Sequence, residues 1–239
     1  MQLPKIRQSA TLIKRYKRFL ADVLLEDGSE LTVHCPNSGS MRGCSTPGSP
    51  VIISDSGNPE RKYRWTLEMV REKGVWIGVN TNLTNKLVYE ALRTGVIDDF
   101  GQIHTIRPEV RVSDRSRLDF VLESDAGQVY IEVKNCSLVE NGRALFPDAV
   151  TARGTKHLEE LALLRKNGAQ AAVLFCVQRA DGAWFAPADE IDPLYADTLR
   201  KVSDQGVRIL AYRAEVQPNQ VTITEKIPCR IYPEEMPSR

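Results

Sequence analysis

The spacing of apolar residues changes near Asn80, and this break constrains the fold more than any other feature of the chain. Before it, short runs alternate or stay β-tolerant. Phe19 to Leu25 and Glu30 to His34 flank a Glu26-Asp27-Gly28 turn, and Trp65 to Val70 and Val75 to Val79 flank Arg71-Glu72-Lys73-Gly74. Each pair predicts a hairpin, with Val51-Ile52-Ile53 as a further strand. Loops are signalled by Cys35-Pro36-Asn37-Ser38-Gly39 and Thr46-Pro47-Gly48. Four or five short strands of this kind suit a small OB-like barrel.

After Asn80 the period becomes helical. Leu83, Leu87, Val88, Ala91 and Leu92 share one side of a helix that Gly95 ends. Strands follow over 107–112, 118–123 and 129–134, then a helix from about Thr151 to Lys166 stopped by Asn167-Gly168. Ala171 to Val177 is continuously apolar, as in a strand covered on both faces. Pro193 opens another helix reaching Gln205, and Val207 to Tyr212 returns as a strand. The order predicts an α/β layer with a mixed sheet. The expected organisation is an OB-like barrel over residues 1–80 and an α/β domain over 81–239, with a frayed tail from Pro233.

Net charge is +1, so nucleic acid would have to be held by local patches rather than by the whole molecule. One patch is Lys14, Arg15, Lys17 and Arg18, with Tyr16 and Phe19 among the cations; Phe19 is expected in the core and Tyr16 is the candidate to stack on bases. The other is Arg107, Arg111, Arg115 and Arg117. Solvated strand or loop faces give the same pattern. The five cysteines are odd in number and contain no CxxC pair, so neither a zinc ribbon nor a dithiol redox motif is suggested. The N-terminal stretch lacks an apolar core of signal-peptide length and no later run approaches a membrane span, so a cytoplasmic protein is expected.

The chemistry concentrates in two strands, Leu118-Asp119-Phe120-Val121-Leu122 and Val129-Tyr130-Ile131-Glu132-Val133-Lys134. Alternation puts Val129, Ile131 and Val133 on an apolar face and Glu132 and Lys134 on the other. It turns Asp119 away from Leu118, Phe120 and Leu122. A hairpin through Ser124-Asp125-Ala126-Gly127 then brings Asp119 near Glu132. Two adjacent carboxylates raise each other's proton affinity, and a divalent cation relieves the repulsion. Mg²⁺ or Mn²⁺ suits such a pair, because Mg²⁺ accepts one or two carboxylates and keeps waters and substrate phosphate. Lys134 could orient an attacking water or neutralise developing phosphate charge. Glu90, on the flank of the preceding helix, is an accessory carboxylate candidate. Arg153, Lys156, His157 and Glu160 form one mostly basic stripe on the next helix. A charged, half-exposed hairpin would share this short pattern.

Several stretches resemble the bacterial sugar fermentation stimulation protein family: residues 11–23, His34-Cys35-Pro36-Asn37-Ser38-Gly39, Ser116 to Phe120, Tyr130 to Lys134, and above all Phe146-Pro147-Asp148-Ala149-Val150-Thr151-Ala152-Arg153-Gly154-Thr155-Lys156-His157-Leu158. The resemblance implies an OB-like domain followed by a domain similar to the PD-(D/E)xK nucleases. It also implies a DNA-binding protein linked to regulation of sugar (maltose) metabolism. Carried onto this sequence, the nuclease-like site would be Asp119, Glu132 and Lys134 with Glu90, although Leu118 replaces the motif's proline. The family is also described with a C-terminal helix-turn-helix. The matching stretch here, Ile209 to Pro228, contains Pro218 and alternates over Val221-Thr222-Ile223-Thr224, which reads as strand.

Three functional classes stay open: a metal-dependent DNA or RNA nuclease, a DNA-binding regulator on a silent nuclease-like fold, and a sugar- or metabolite-handling enzyme. No phosphate loop or Ser/His/Asp arrangement supports the third. DNA bound with little sequence specificity is common to the first two.

Overall fold

The computed structural model describes residues 1–113, 116–125 and 127–233, so the tail expected beyond Pro233 lies outside the described residues. The N-terminal third is a six-stranded sheet in the order β3-β2-β1-β4-β5-β6, formed by β1 (Arg7–Tyr16), β2 (Leu20–Leu24), β3 (Glu30–His34), β4 (Pro50–Asp55), β5 (Trp65–Glu72) and β6 (Val75–Gly78). A parallel contact of His34 with Thr66 joins β3 to β5 and closes the sheet into a barrel. The expected hairpins are present, with Leu20 opposite His34 and Glu72 opposite Val75. Strand β1 lies outside the sequence expectation, because four cations mask its alternation. Only Ala10 and Leu12 of β1 are buried in the barrel core.

The rest of the chain is built on a mixed sheet in the order β15-β14-β12-β9-β8-β7. Its strands are β7 (Ile103–Ser113), β8 (Ser116–Ser124), β9 (Gly127–Cys136), β12 (Gln170–Val177), β14 (Arg208–Gln217) and β15 (Gln220–Ile227). Helix α1 (Thr84–Arg93) covers one face, and α2 (Ala152–Lys166) and α3 (Pro193–Asp204) cover the other. Strand β12 runs parallel to β9 and β14, its two neighbours. Ala172, Leu174 and Cys176 pack on the α1 side, and Ala171, Val173, Phe175 and Val177 on the α2/α3 side. A strand buried on both faces has no polar positions to alternate with. A small sheet of β10 (Leu138–Glu140), β11 (Arg143–Phe146) and β13 (Trp184–Pro187) is an addition to the expected elements. The stretch from Ile209 to Pro228 holds the β14–β15 hairpin rather than a helix-turn-helix.

Asp99 ties the segment after α1 to the far strands of the sheet. Its carboxylate, 5% exposed, pairs with Arg208 at 2.9 Å, with Lys226, and accepts the Tyr212 hydroxyl hydrogen bond. Burial pushes Asp99 up, but Lys226, Tyr212 and Arg208 more than offset it and hold the carboxyl below its usual range. Its stabilising contribution is therefore complete above the ordinary carboxylate pKa and is lost as pH falls through the lowered value. Asp99→Ala leaves three polar groups without their partner, two of them partly exposed. We expect a loss of about 1–3 kcal/mol in urea unfolding at neutral pH, shrinking in acid.

Candidate metal and nucleic-acid site

Strands β8 and β9 pair from Ser124 opposite Gly127 to Phe120 opposite Ile131, and the ladder stops there. One residue further on, the Asp119 side chain takes the place of a strand partner: its Oδ2 accepts the Val133 backbone N–H at 2.7 Å. Asn85 on α1 donates to Oδ1 at 2.7 Å. The carboxylate is thus fixed at the point where two central strands part. The expected alternation fails at this point, because Leu118 packs on the α2/α3 side and Phe120 and Leu122 on the α1 side. Released from β9, β8 no longer has to hold one face.

Glu132 lies on the opposite sheet face from Ile131 and Val133, as expected, with its side chain only 4% exposed. Its Oε1 accepts from Lys134 Nζ at 2.6 Å and from His157 Nδ1 on α2. With Nδ1 donating, His157 Nε2 is the acceptor for Arg153 Nε at 3.4 Å, a tautomer assigned from this network. Among the described residues, Glu132 Oε2 is buried with no hydrogen-bond partner. Burial, followed by the charge of Glu132, pushes the Asp119 carboxyl up to about 6. Glu132 does not rise in return, which corrects the expected mutual elevation. Burial alone would raise it, but His157 and Lys134 hold it below its usual range. The result is one anchored anion beside one readily protonated carboxyl.

These groups open onto a cleft of about 980 Å³ between the barrel and the mixed-sheet domain. The barrel contributes the Asn37-Ser38-Gly39 wall. Arg15 holds this wall through the carbonyls of Asn37, Gly39 and Ser40. Asp148, from the loop before α2, accepts the Met41 N–H at 2.9 Å, and a Cβ at Gly39 would stand 2.4 Å from its Oδ1. Only glycine permits that approach.

The residues expected at the site divide accordingly. Asp119, Glu132, Lys134 and His157 come together, while Arg153 and Arg117 line the same cleft. His157 therefore sits inside the carboxylate network rather than on an exposed basic stripe, and Lys156 is exposed outside the cleft. Glu90 does not reach the site: half-exposed, it pairs with the Met1 amino group at 3.0 Å. Thr84, Asn85, Lys86 and Tyr89 are the α1 residues that line the cleft. In the first patch, Arg15 is spent on backbone carbonyls. Tyr16 donates to Asp22 beneath Lys14, whose Nζ is 3.5 Å from that carboxylate. Phe19, expected in the core, is 45% exposed beside Lys17 and Arg18 at the β1–β2 tip. Tyr16, in the strand, is half-buried, whereas Phe19, in the turn, is the more exposed of the two. Arg117 pairs with Glu109 at 2.9 Å and Arg107 with Glu123 at 3.5 Å, Arg111 is exposed on β7, and Arg115 lies outside the described residues. Asn85, Asp148 and the Asn37–Gly39 wall escape sequence reasoning. No spacing rule relates them to Glu132, although two of the three lie in the resemblance motifs.

The fold and site together define a two-domain protein, a small barrel ahead of a mixed-sheet α/β domain, with a carboxylate–lysine cluster in the cleft between them. Residues 13–79 match the model of the SfsA N-terminal OB domain, and residues 82–220 match that of the sugar fermentation stimulation protein RE domain. The chain belongs to the sugar fermentation stimulation protein family. It is 53% identical to the sugar fermentation stimulation protein homologue of Pelobacter propionicus, over 95% of this chain and 99% of that one. It is also 53% identical to the Geotalea uraniireducens homologue, over 97% and 100%. Pyrococcus furiosus SfsA, solved in complex with Ca²⁺, shares the fold with a TM-score of 0.87 at 23% identity, covering 96% of this chain and 98% of that one.

Proposed function

We propose that the chain binds nucleic acid, DNA first, and that Asp119 and Glu132 hold Mg²⁺ or Mn²⁺ for hydrolysis of phosphodiester bonds. The observation that carries this reading is Glu132 Oε2, a buried carboxylate oxygen without a partner beside a second carboxylate. Such an oxygen is costly unless something positive meets it. The pair fits a hard cation that keeps most of its waters. The Pyrococcus furiosus relative, solved in complex with Ca²⁺, is in line with this reading. When bound, the ion would supply charge stabilisation to a phosphate and a more acidic bound water.

The protein's own groups have separable tasks. Val133 N–H and Asn85 orient Asp119, and His157 fixes Glu132. Lys134, 12% exposed, keeps an ammonium at the cleft floor where phosphate charge would develop. Arg117 and Arg153 on the cleft wall favour a polyanion. A second reading, a regulator that binds without cutting, is favoured by one feature: Lys134 and His157 already compensate Glu132 without a metal. Incubating single- and double-stranded DNA with the full chain in Mg²⁺ or Mn²⁺, with a chelator control, separates the two. Metal-dependent products are the expected result.

Binding outside the cleft is assigned to the barrel tip. Lys17, Arg18 and Phe19 are exposed there, on the β1–β2 loop of the kind OB barrels use for oligonucleotides. Replacing Lys17 and Arg18 by alanine should weaken DNA binding and reduce the salt slope by about 0.7–0.9 for each phosphate no longer neutralised. An unchanged slope would remove the tip from the interface.

A further inference from the structure

The cleft has an apolar sector that the carboxylate–lysine chemistry does not use. Tyr89 lines it from α1 and is 36% exposed. Its ring is backed by Phe120, with centroids 6.4 Å apart and 28° between the planes. Val150, from the loop before α2, lines the same cleft and is 76% exposed. Exposed apolar groups inside an otherwise charged cleft mark a ligand surface more often than chance. Tyr89 is also tied to the carboxylates, because Asn85, one turn earlier on the same helix face, is the donor to Asp119. Lys86, on that turn, and Arg153 add cations to the wall. A backed aromatic ring beside cations has the chemistry of a base platform next to a phosphate track. Bases inside a duplex have both faces covered by their stacked neighbours, so the platform can serve only an unpaired base.

We propose that Tyr89 stacks on a base of an unpaired DNA or RNA strand whose adjoining phosphate lies at Asp119, Glu132 and Lys134, making Tyr89 the residue that selects single strands. The inference rests on the nucleic-acid reading above in one respect, that the strand enters this cleft.

The test uses the full chain with a chelator, so that nothing is cut, and labelled oligodeoxyuridylate, oligouridylate and an abasic strand of equal length. Fluorescence anisotropy should show the parent binding at least one base-bearing strand roughly five- to hundredfold more tightly than the abasic strand. Tyr89→Phe should keep that preference and Tyr89→Ala should lose it; whichever strand shows the preference identifies the sugar. If Tyr89→Ala fails to fold because Phe120 is uncovered, Tyr89→Leu keeps apolar cover and must show the same loss. A parent without the preference, or an alanine or leucine variant that retains it, overturns the proposal. A separate Mn²⁺ titration keeps the two readings apart. Failure to bind metal with the preference intact would sink the metal site alone, and metal binding without the preference would sink the Tyr89 assignment alone.

Discussion

Asp119→Asn is expected to make the metal-free protein more stable while weakening its metal binding and removing nearly all cleavage. The stability gain follows from the sign of the pKa shift. Asp119 is raised to about 6 from 3.8, so the folded state holds its proton more tightly than the unfolded state. Stability therefore falls as pH rises between those values, and the deficit persists above them. Asparagine removes the charge but keeps the shape. Its oxygen still accepts from Val133 N–H, and the Asn85 amide can turn to present its own oxygen. At neutral pH in chelator the gain should be about 1–3 kcal/mol, read as a rise of roughly 2–8 °C in melting midpoint. The gain should vanish below about pH 4, where Asp119 is protonated in both states. Cleavage should fall by about 10²–10³-fold or more. A lower midpoint with cleavage retained would show that Asp119 is a structural acceptor only.

Lys134→Met should separate holding the metal from using it. Lys134 bonds Glu132 Oε1 and leaves Oε2 untouched, so the oxygen proposed for the metal survives the change. Mn²⁺ binding should stay within about tenfold of the parent, since only one neighbouring positive charge is removed. Cleavage should fall by about 10²–10³-fold, as when a preorganised donor to developing charge is removed. The variant should also lose about 2–4 kcal/mol, because Glu132 keeps His157 but loses the ammonium that balanced its burial. Cleavage undiminished in a folded variant would exclude Lys134 from the chemistry.

Much of this site can be read from the sequence, and the places where that reading fails have physical causes. The alternation of Val129, Ile131 and Val133 is strict because β9 stays paired with β12 from Val129 to Cys136, so Glu132 and Lys134 fall on the opposite sheet face as the period requires. Asp119 is legible as a residue but not in its geometry, because β8 leaves the ladder there. A side chain that replaces a strand partner leaves no periodic trace. Helical spacing alone misplaces Glu90: Asn85 and Tyr89, one turn apart on the same helix, line the cleft, whereas Glu90 pairs with the Met1 amine. The barrel strands with turn signals are legible. Strand β1, with its cations, and the short β10, β11 and β13 are not, because their pairing is decided by distant partners. Ser40, next to the Asn37–Gly39 wall, and Asp148 meet across 108 residues, a tertiary contact with no local signal.

The most direct test is calorimetric titration of Mn²⁺ into the parent and into Asp119→Asn at neutral pH, with cleavage of single- and double-stranded DNA followed in the same samples. The expected result is oxygen-ligated Mn²⁺ binding by the parent, binding weakened by about tenfold or more in the variant, and metal-dependent cleavage by the parent alone. Equal Mn²⁺ binding by the two proteins would contradict the Asp119–Glu132 site outright.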